Sequence, residues 1–534
     1  MAENAGQQRG TAPNPSTGLP RELGFMAVLA FGVACISLSS SGLLPFSKVI
    51  GIWPGSSLVL IITFAAVFCL FHAYTYAVIG SMAPQSAADY VVASRTLPRS
   101  LAFASSWTFV IFSALTAGAL IAQVPQTILP IFFRLFGMLQ TPIAAMLDLA
   151  DAITTPENTI LFGTVLVVVT FLTMLLPARI ISRIMVTGLG LGVLAWVVMF
   201  FLLATAPESG FQVAWNRAMS QGNFLEHLVS AKALGMDSQA GIQPLALGGL
   251  LMSFWFFYGY MIPTFFAGEV KRPERSLLPA SLGALALTWG FFIGATFLLL
   301  RLVPTEWLAS ESFLHQSSQF TELSMPWLPF YAMIVQPNLF IAVFVFIAWL
   351  FTLINLFQAY FFFCSRILVA WVEDGAAPAS LGYIHPGLKS PLLMVLAVAT
   401  VAELAVLDAS LGGVVMAQVN FVFFAALTQV IPVLAATIIP FIRKDWFESS
   451  SRLVRLKIGR VPVITLVGVV TLVFLLASAA LSGIFPVMGA FTLWTPVLFA
   501  ALFLSGLAWY FGYRFVRSRQ DRIAAKAASG VPAD

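Results

Sequence analysis

Two stretches of the chain combine residues that interrupt helices with groups able to bind a small charged solute. Residues 34–45 read Ala-Cys-Ile-Ser-Leu-Ser-Ser-Ser-Gly-Leu-Leu-Pro, and residues 255–263 read Trp-Phe-Phe-Tyr-Gly-Tyr-Met-Ile-Pro. Glycine permits left-handed backbone, serine competes for helical hydrogen bonds, and proline restricts the residue that precedes it. Each stretch is therefore predicted to break a helix, at Gly42 and at Gly259, and to leave backbone groups unpaired.

The unpaired backbone groups have the chemistry that a zwitterion requires. Free N–H groups bind a carboxylate in the way that helix N-termini do. The amides expected to be free are those of Ser40, Ser41 and Gly42. Free carbonyls would accept hydrogen bonds from an ammonium group, and they are expected at Leu38, Trp255 and Tyr258. Together they predict an α-amino acid site.

The composition indicates that these stretches lie in a lipid bilayer. Hydrophobic residues make up 60% of the 534 positions, charged residues only 9%, and the mean hydropathy is +0.94. A soluble domain carries about 25% charged residues. Apolar stretches long enough to cross a bilayer core of about 30 Å recur along almost the whole chain. These values exclude a soluble protein and predict an all-α membrane protein.

Twelve membrane-spanning segments are predicted, and they are numbered here as spans one to twelve. Their positions are near 25–47, 56–80, 101–132, 158–177, 184–206, 245–267, 279–302, 338–364, 391–407, 411–441, 461–484 and 491–513. The two interrupted stretches lie in spans one and six, which begin two successive units of five spans. Paired interruptions at matching positions of two halves are the pattern of a transporter with a site near the midplane.

The positions of the basic residues predict the orientation. With the N-terminus inside, the cytoplasmic segments hold 22 of the 27 lysines and arginines. This bias follows the positive-inside rule and places both termini in the cytoplasm. The basic residues are spread over all the inner loops, where they would contact anionic lipid headgroups. The net charge of +5 therefore does not indicate a nucleic-acid partner.

Three further stretches resemble the amino acid–polyamine–organocation superfamily of permeases. They are Tyr76–Tyr90 after span two, Phe266–Arg275 (Phe-Ala-Gly-Glu-Val-Lys-Arg-Pro-Glu-Arg) after span six, and Ser365–Pro378 after span eight. The order of these stretches and the spans between them extend the resemblance along almost the whole chain. The chain is therefore identified, by resemblance, as a permease of the cell membrane that transports amino acids.

The resemblance implies the LeuT-type fold and alternating access. In that fold, residues 23–441 form a ten-helix core of two inverted repeats, about 25–206 and 245–441, in which helices 1 and 6 are discontinuous. Residues 442–515 add two peripheral helices, and residues 1–22 and 516–534 are cytoplasmic tails. The oligomeric state is left open between a monomer and a homodimer.

The resemblance also implies roles for particular residues. It places the substrate carboxylate at Ser41 and Gly42 and the amino group at Leu38, Trp255 and Tyr258, with the Trp255 ring as a lid. Tyr360 and Asn420 would line the pocket, although core packing is the alternative for both. Charges in the loop after span six would latch a cytoplasmic gate, the alternative being a solvated turn, and these charges are Glu269, Lys271 and Arg272.

The sequence departs from the family at positions that bear on substrate and coupling. Met261 stands where several relatives carry a glutamate, which disfavours cationic substrates. Span five lacks the lysine of some proton-coupled relatives, so the coupling ion, H⁺ or Na⁺, stays open. His72, in the middle of span two, is either a titrating group or a neutral histidine bonded between helices. Thr352 in span eight is a candidate ligand for sodium.

Other classes of function fit less well. A membrane enzyme would need an acid–base pair or a metal cluster, but the four histidines are scattered and form no metal-binding pair at helical spacing. No cofactor or metal is expected. A channel would need a polar stripe along a pore, whereas polarity here is concentrated at one depth in spans one and six. A transporter of a polyamine or another small amine is the nearest alternative.

Overall fold

The computed structural model of the chain describes residues 19–137, 144–208, 210–218, 224–237, 242–317, 327–385, 390–485 and 490–528. Within them, ten helices are long and apolar enough to cross a membrane, and they correspond to predicted spans two to five and seven to twelve. These helices are Leu58–Met82, Arg99–Gly137, Pro156–Met174, Ala178–Thr205, Pro273–Leu302, Leu339–Glu373, Leu392–Ser410, Phe421–Ile442, Val463–Ile484 and Trp494–Ala528. The protein is thus a multi-pass membrane protein.

Predicted spans one and six are each interrupted near the expected residue. The first is a helix over Phe25–Ile36, followed by a non-helical stretch, residues 37–40, that we call the first break. The second is a helix over Ile242–Phe257, followed by residues 258–261, the second break. Short helical segments follow each break. After the first break they are Ser41–Leu43, Pro45–Val49 and Ile50–Ile52. After the second break they are Ile262–Phe265 and Ala267–Glu269.

The beginning of span ten differs from the sequence expectation. Its helix starts at Phe421 instead of near 411. Gly412 and Gly413 have φ angles of +116° and +67°, which end the preceding helix. The Asp408 carboxylate accepts hydrogen bonds from the amides of Val415 and Met416 and so stabilises a turn ahead of the α-helix. Local hydrogen bonding therefore overrides a hydrophobic run that continues through the turn.

The remaining elements lie in the connections between spans. Short helices cover Ala88–Thr96, Ala144–Ala152, Gly210–Ala218, Phe224–Ala233, Thr305–Gln316, Leu328–Val335, Ala379–Gly382, Met416–Gln418 and Lys444–Ser449. Strands Lys457–Ile458 and Val461–Pro462 pair antiparallel. The two long connections pack together on the predicted outer side, where His227 Nδ1 lies 2.5 Å from Glu311 Oε2 and the rings of Phe224 and Trp307 stack.

The helices sort their side chains as a bilayer requires. Large apolar residues such as Phe201, Phe297 and Phe340 are exposed on the outside of the bundle, where lipid would cover them. The first short helix packs against spans five, seven and eight in the interior. The two breaks therefore lie among helices and not at the lipid boundary, which is where unpaired backbone is tolerated in a membrane.

Candidate functional site

The two breaks touch each other. The Ser41 hydroxyl donates to the Trp255 carbonyl oxygen at 3.0 Å and also contacts the Ile36 carbonyl oxygen. Gly259 has a φ of +142°, and a Cβ atom there would overlap the backbone of Cys35 and Ile36. One hydroxyl group and one glycine thus hold the interrupted ends of two helices in direct contact.

Ser37 organises the first break, and its role was not anticipated. It has a φ of +62°, unusual for a residue other than glycine. Its side-chain oxygen accepts a hydrogen bond from the Ser40 amide at 3.1 Å, and its carbonyl accepts one from the Ser41 amide at 3.0 Å. Two of the amides expected to be free are therefore bonded to Ser37. The expectation of free N–H groups at Ser40 and Ser41 was wrong for this conformation.

The neighbours of Gly42 explain why a glycine stands there. A Cβ atom at Gly42 would lie 2.7 Å from Cζ2 and 3.3 Å from Cη2 of Trp196 in span five. The Trp196 side chain is fully buried and lies against Phe292 of span seven. The space beside Trp196 therefore limits this position to glycine.

A chain of hydroxyl groups links the first break to span eight. Thr352 Oγ1 donates to Ser39 Oγ at 3.0 Å, and Ser39 Oγ lies 3.1 Å from Ser37 Oγ. A small cavity beside them, between spans one, five and eight, is lined in part by Leu38 and Asn355. In the part of the chain that the structure describes, no group of three or more His, Cys, Asp or Glu side chains is placed to hold a metal ion.

Aromatic side chains surround the second break. Trp255 is half-buried, with its ring 4.9 Å from that of Phe421, and the Tyr258 ring lies 5.3 Å from the same phenylalanine. The Tyr258 hydroxyl accepts a hydrogen bond from Gln429 Nε2 at 3.0 Å. Tyr360 of span eight is also buried, with its ring 5.3 Å from that of Phe363. Trp255 and Tyr258 are thus brought together at Phe421.

Two residues of span ten were missed, and one predicted residue has a different contact. Phe421 and Gln429 contact the second break, and the signal for Gln429 was a single amide in an otherwise apolar stretch. Asn420, predicted to line the pocket, is buried and caps the helix of span ten, since its Oδ1 accepts from the Phe423 amide at 3.1 Å. This hydrogen bond of Asn420 therefore has a structural role.

His72 contacts the second break from span two. Its Nδ1 atom lies 2.7 Å from the Tyr260 hydroxyl, and both side chains are buried. Tyr260 is held in turn through its carbonyl, which accepts from Ser281 Oγ of span seven at 2.9 Å. Of the two predicted coupling residues, His72 therefore lies at the second break and Thr352 at the first.

The loop after the second break is held by a buried ion pair. Glu269 is paired with Arg366 of span eight, with Oε1 2.7 Å from Nε and Oε2 3.3 Å from Nη2. Lys271 and Arg272, predicted with Glu269 as gate charges, are exposed. The Lys271 amide donates to the Leu23 carbonyl at 2.9 Å, so the loop also binds the segment that precedes the first short helix. Arg366 lies within one of the quoted family-like stretches but was not assigned a role.

Comparison with known proteins identifies a family. The family described as amino acid permease matches residues 36–521, a range that includes both breaks and the ion pair. No match was found among curated proteins.

Proposed function

The chain belongs to the amino acid permease family, a family of transporters and not of enzymes, and on that premise we propose that it is a secondary active transporter of neutral amino acids. In this proposal apolar and aromatic L-amino acids cross the cell membrane by alternating access. The substrate binds between the two breaks, and each break belongs to one of two five-helix repeats. Twelve crossings, with both termini in the cytoplasm, complete the arrangement.

The observation that carries the proposal is the contact between the breaks. Ser41 bridges Ile36 and Trp255, and Gly259 lies against Cys35 and Ile36. A solute bound here touches both interrupted helices. Its binding energy can therefore favour one relative position of the two helices over another. Differential contact with two arrangements is what a ligand needs in order to shift a conformational equilibrium.

The side chains around the breaks favour an apolar or aromatic substrate. Trp255, Tyr258, Tyr360 and Phe421 supply aromatic surface, and Met261 is fully buried where several relatives carry an acid. Without an acidic partner, burying a second positive charge is costly. A polyamine or arginine is therefore disfavoured relative to leucine or phenylalanine.

Fewer backbone groups are free to bind the substrate than the sequence alone suggested. With the Ser40 and Ser41 amides bonded to Ser37, the carboxylate would be bound only after these bonds exchange, or at Gly42. The carbonyls of Leu38 and Tyr258 are the proposed acceptors for the amino group. The carbonyl of Trp255 becomes available when the Ser41 hydroxyl turns away from it.

Uptake into proteoliposomes containing the purified protein tests the proposal. We expect saturable uptake of radiolabelled leucine, accelerated by unlabelled leucine on the opposite side. Unlabelled phenylalanine should compete strongly, and putrescine and arginine weakly. Stronger competition by putrescine or arginine would replace the proposal by an amine transporter, and flux that does not saturate would replace it by a channel.

A further inference from the structure

A cavity of about 350 Å³ lies between spans three, eight, nine and twelve, and no residue of either break lines it. Every residue that does line it is apolar, and three of these residues are Trp107, Trp371 and Trp509. Its volume falls in the range of about 300–1,000 Å³ that is typical of pockets for small ligands. The cavity is therefore a candidate site for an apolar ligand other than the transported solute.

Three stacked tryptophans form one wall of the cavity. The Trp107 ring lies between those of Trp371 and Trp509, with centroid distances of 5.7 and 5.5 Å. In the order Trp107, Trp371 and Trp509, the indole N–H groups donate to Ser505 Oγ at 3.1 Å, Ser106 Oγ at 3.0 Å and the Ala376 carbonyl oxygen at 3.1 Å. A water molecule in a cavity needs about two to four polar partners, and these tryptophans have no further N–H group to offer. The wall therefore favours a hydrocarbon guest.

The cavity is open to the surroundings of the bundle. Leu381, Leu393 and Ala397 line it and are exposed, and Trp509 is 40% exposed. Around a membrane protein such a surface is covered by lipid, since the bilayer core holds no water. Acyl chains of the bilayer can therefore enter the cavity directly.

Arg517 follows the cavity toward the predicted cytoplasmic side. Trp371 lies two residues before the end of the helix of span eight, and Leu393 is the second residue of the helix of span nine. On the helix of span twelve, Trp509, Tyr513 and Arg517 recur every four residues and share one face. The Trp509 and Tyr513 rings stack with their centroids 6.3 Å apart. This face thus carries an aromatic contact at the cavity and a cation about two turns farther along the helix.

The Arg517 guanidinium is available to an anionic group. It is exposed, and within the part of the chain that the structure describes it forms no ion pair. Its Nη1 donates to the Gly375 carbonyl oxygen at 3.3 Å, beside the connection that lines the cavity. The carboxylate of Asp374 is engaged elsewhere, since it accepts from the Tyr90 hydroxyl at 2.8 Å and from Arg95 Nη2 at 3.5 Å. A guanidinium has several N–H donors in a geometry that matches phosphate, so the donors that Gly375 does not occupy can bind a headgroup.

We propose that this cavity is a binding site for an anionic glycerophospholipid of the cytoplasmic leaflet. One acyl chain fills the apolar cavity against the tryptophan wall, and the headgroup phosphate binds Arg517. Basic sites between helices on the cytoplasmic side are where anionic headgroups bind membrane proteins. The site involves neither break, so the inference goes beyond the proposed function and does not depend on the transported substrate.

The bound lipid joins span twelve to the helices of the core. Trp509 and Arg517 belong to span twelve, whereas Trp107 and Trp371 belong to spans three and eight. A ligand that binds the folded protein and not the unfolded chain raises the stability of the fold. The phospholipid should therefore raise the thermal unfolding midpoint of the detergent-solubilised protein as well as bind to it.

Native mass spectrometry of the purified, delipidated protein in detergent tests the proposal. Dioleoyl phosphatidylglycerol is anionic, and dioleoyl phosphatidylcholine has the same acyl chains but no net charge. For the wild type we expect one phosphatidylglycerol molecule to bind at least about tenfold more tightly than phosphatidylcholine, a difference of about 1.4 kcal/mol. Arg517→Gln should bring the two affinities within about threefold of each other, because the charged donor to the headgroup is lost. Ala397→Phe, which adds a ring at the cavity, should weaken the binding of both lipids at least about tenfold.

Each variant has a matched control on its own helix. Arg519→Gln removes the same charge two residues farther along span twelve, which is about 200° around the helix. Leu396→Phe adds a ring next to Ala397, at an exposed residue that does not line the cavity. Both controls should bind the two lipids as the wild type does.

The outcomes separate the headgroup contact from the cavity. Equal affinity of the wild type for the two lipids, an unchanged preference in Arg517→Gln, or no rise of the unfolding midpoint with phosphatidylglycerol would overturn the proposal. Wild-type lipid binding by Ala397→Phe would also overturn it, as would a dimer without bound lipid, which would assign this surface to a second copy of the chain. Should Ala397→Phe fold poorly, Arg517→Gln, a change at an exposed residue, decides alone.

Discussion

Glu269 and Arg366 form a two-point ion pair inside the protein, with N–O distances of 2.7 and 3.3 Å and side-chain exposures of 1% and 3%. The guanidinium also lies 3.7 Å from the centre of the Phe362 ring. The Glu269 carbonyl accepts from the Leu23 amide at 3.0 Å. A single residue, Glu269, thus connects the turn after the second break, span eight and the segment before the first short helix.

Replacing Glu269 by alanine should destabilise the protein strongly. Arg366 would then be a buried charge without its partner, and such losses lower the free energy of unfolding by about 3–5 kcal/mol. Thermal unfolding in detergent measures the effect. Lys271→Ala, a change in the same loop at an exposed residue, should shift the midpoint little. Equal midpoints for Glu269→Ala and Lys271→Ala would show that the ion pair does not hold the loop.

Gly259→Ala should abolish most of the transport activity. The φ of +142° is strained for alanine, and the new Cβ atom would overlap the Cys35–Ile36 backbone, so the breaks must separate. We expect leucine uptake to fall at least tenfold, which corresponds to about 1.4 kcal/mol. Gly290→Ala is the control, since no atom lies within 4 Å of a Cβ there and the residue is in the helix of span seven. Similar uptake by both variants would contradict the prediction.

Ser41→Ala should reduce uptake several-fold. The change removes the hydroxyl that bridges Ile36 and Trp255, and an ordinary hydrogen bond contributes about 1 kcal/mol. Ser40→Ala keeps the amide that bonds Ser37 and should stay within twofold of wild type in the same uptake assay. If Ser41→Ala matches Ser40→Ala, the bridge has no role in transport.

Asp89→Asn should change how stability depends on pH. The pKa of Asp89 in the folded protein is raised to about 7 from an ordinary value of about 3.9, so the folded state binds the proton more tightly than the unfolded state. The stabilisation that the protonated Asp89 carboxyl contributes is fully present below about pH 4 and is lost as the pH rises through about 7. Thermal unfolding midpoints are measured from pH 4 to pH 8. The midpoint of the wild type should fall with rising pH and drop below that of Asp89→Asn near neutral pH. Parallel curves for the two proteins would contradict the raised pKa.

Much of the architecture could be predicted because it depends on residues close together in the chain. Ten helices lie where runs of apolar residues predicted them, since a bilayer selects for continuous hydrophobic length. Both helices break within the two stretches that the sequence singled out, because glycine, serine and proline act on the backbone of their own neighbourhood. The left-handed residue of the first break is nevertheless Ser37 and not Gly42. The start of span ten was misplaced for a local reason that hydropathy does not record, the bonds of Asp408 to two amides.

The partners across the bundle were decided by the tertiary structure alone. Glu269 was predicted to take part in an ionic contact of a gate. Its partner Arg366 lies 97 residues away, and nothing in either segment identifies the other residue as the partner. The same holds for Tyr258 with Gln429 and for His72 with Tyr260, which are 171 and 188 residues apart. Hydropathy and local motifs determine which segments enter the membrane and where they break. Which side chains then meet depends on how the helices pack and rotate against one another, and these variables are set by the fit of many weak contacts at once.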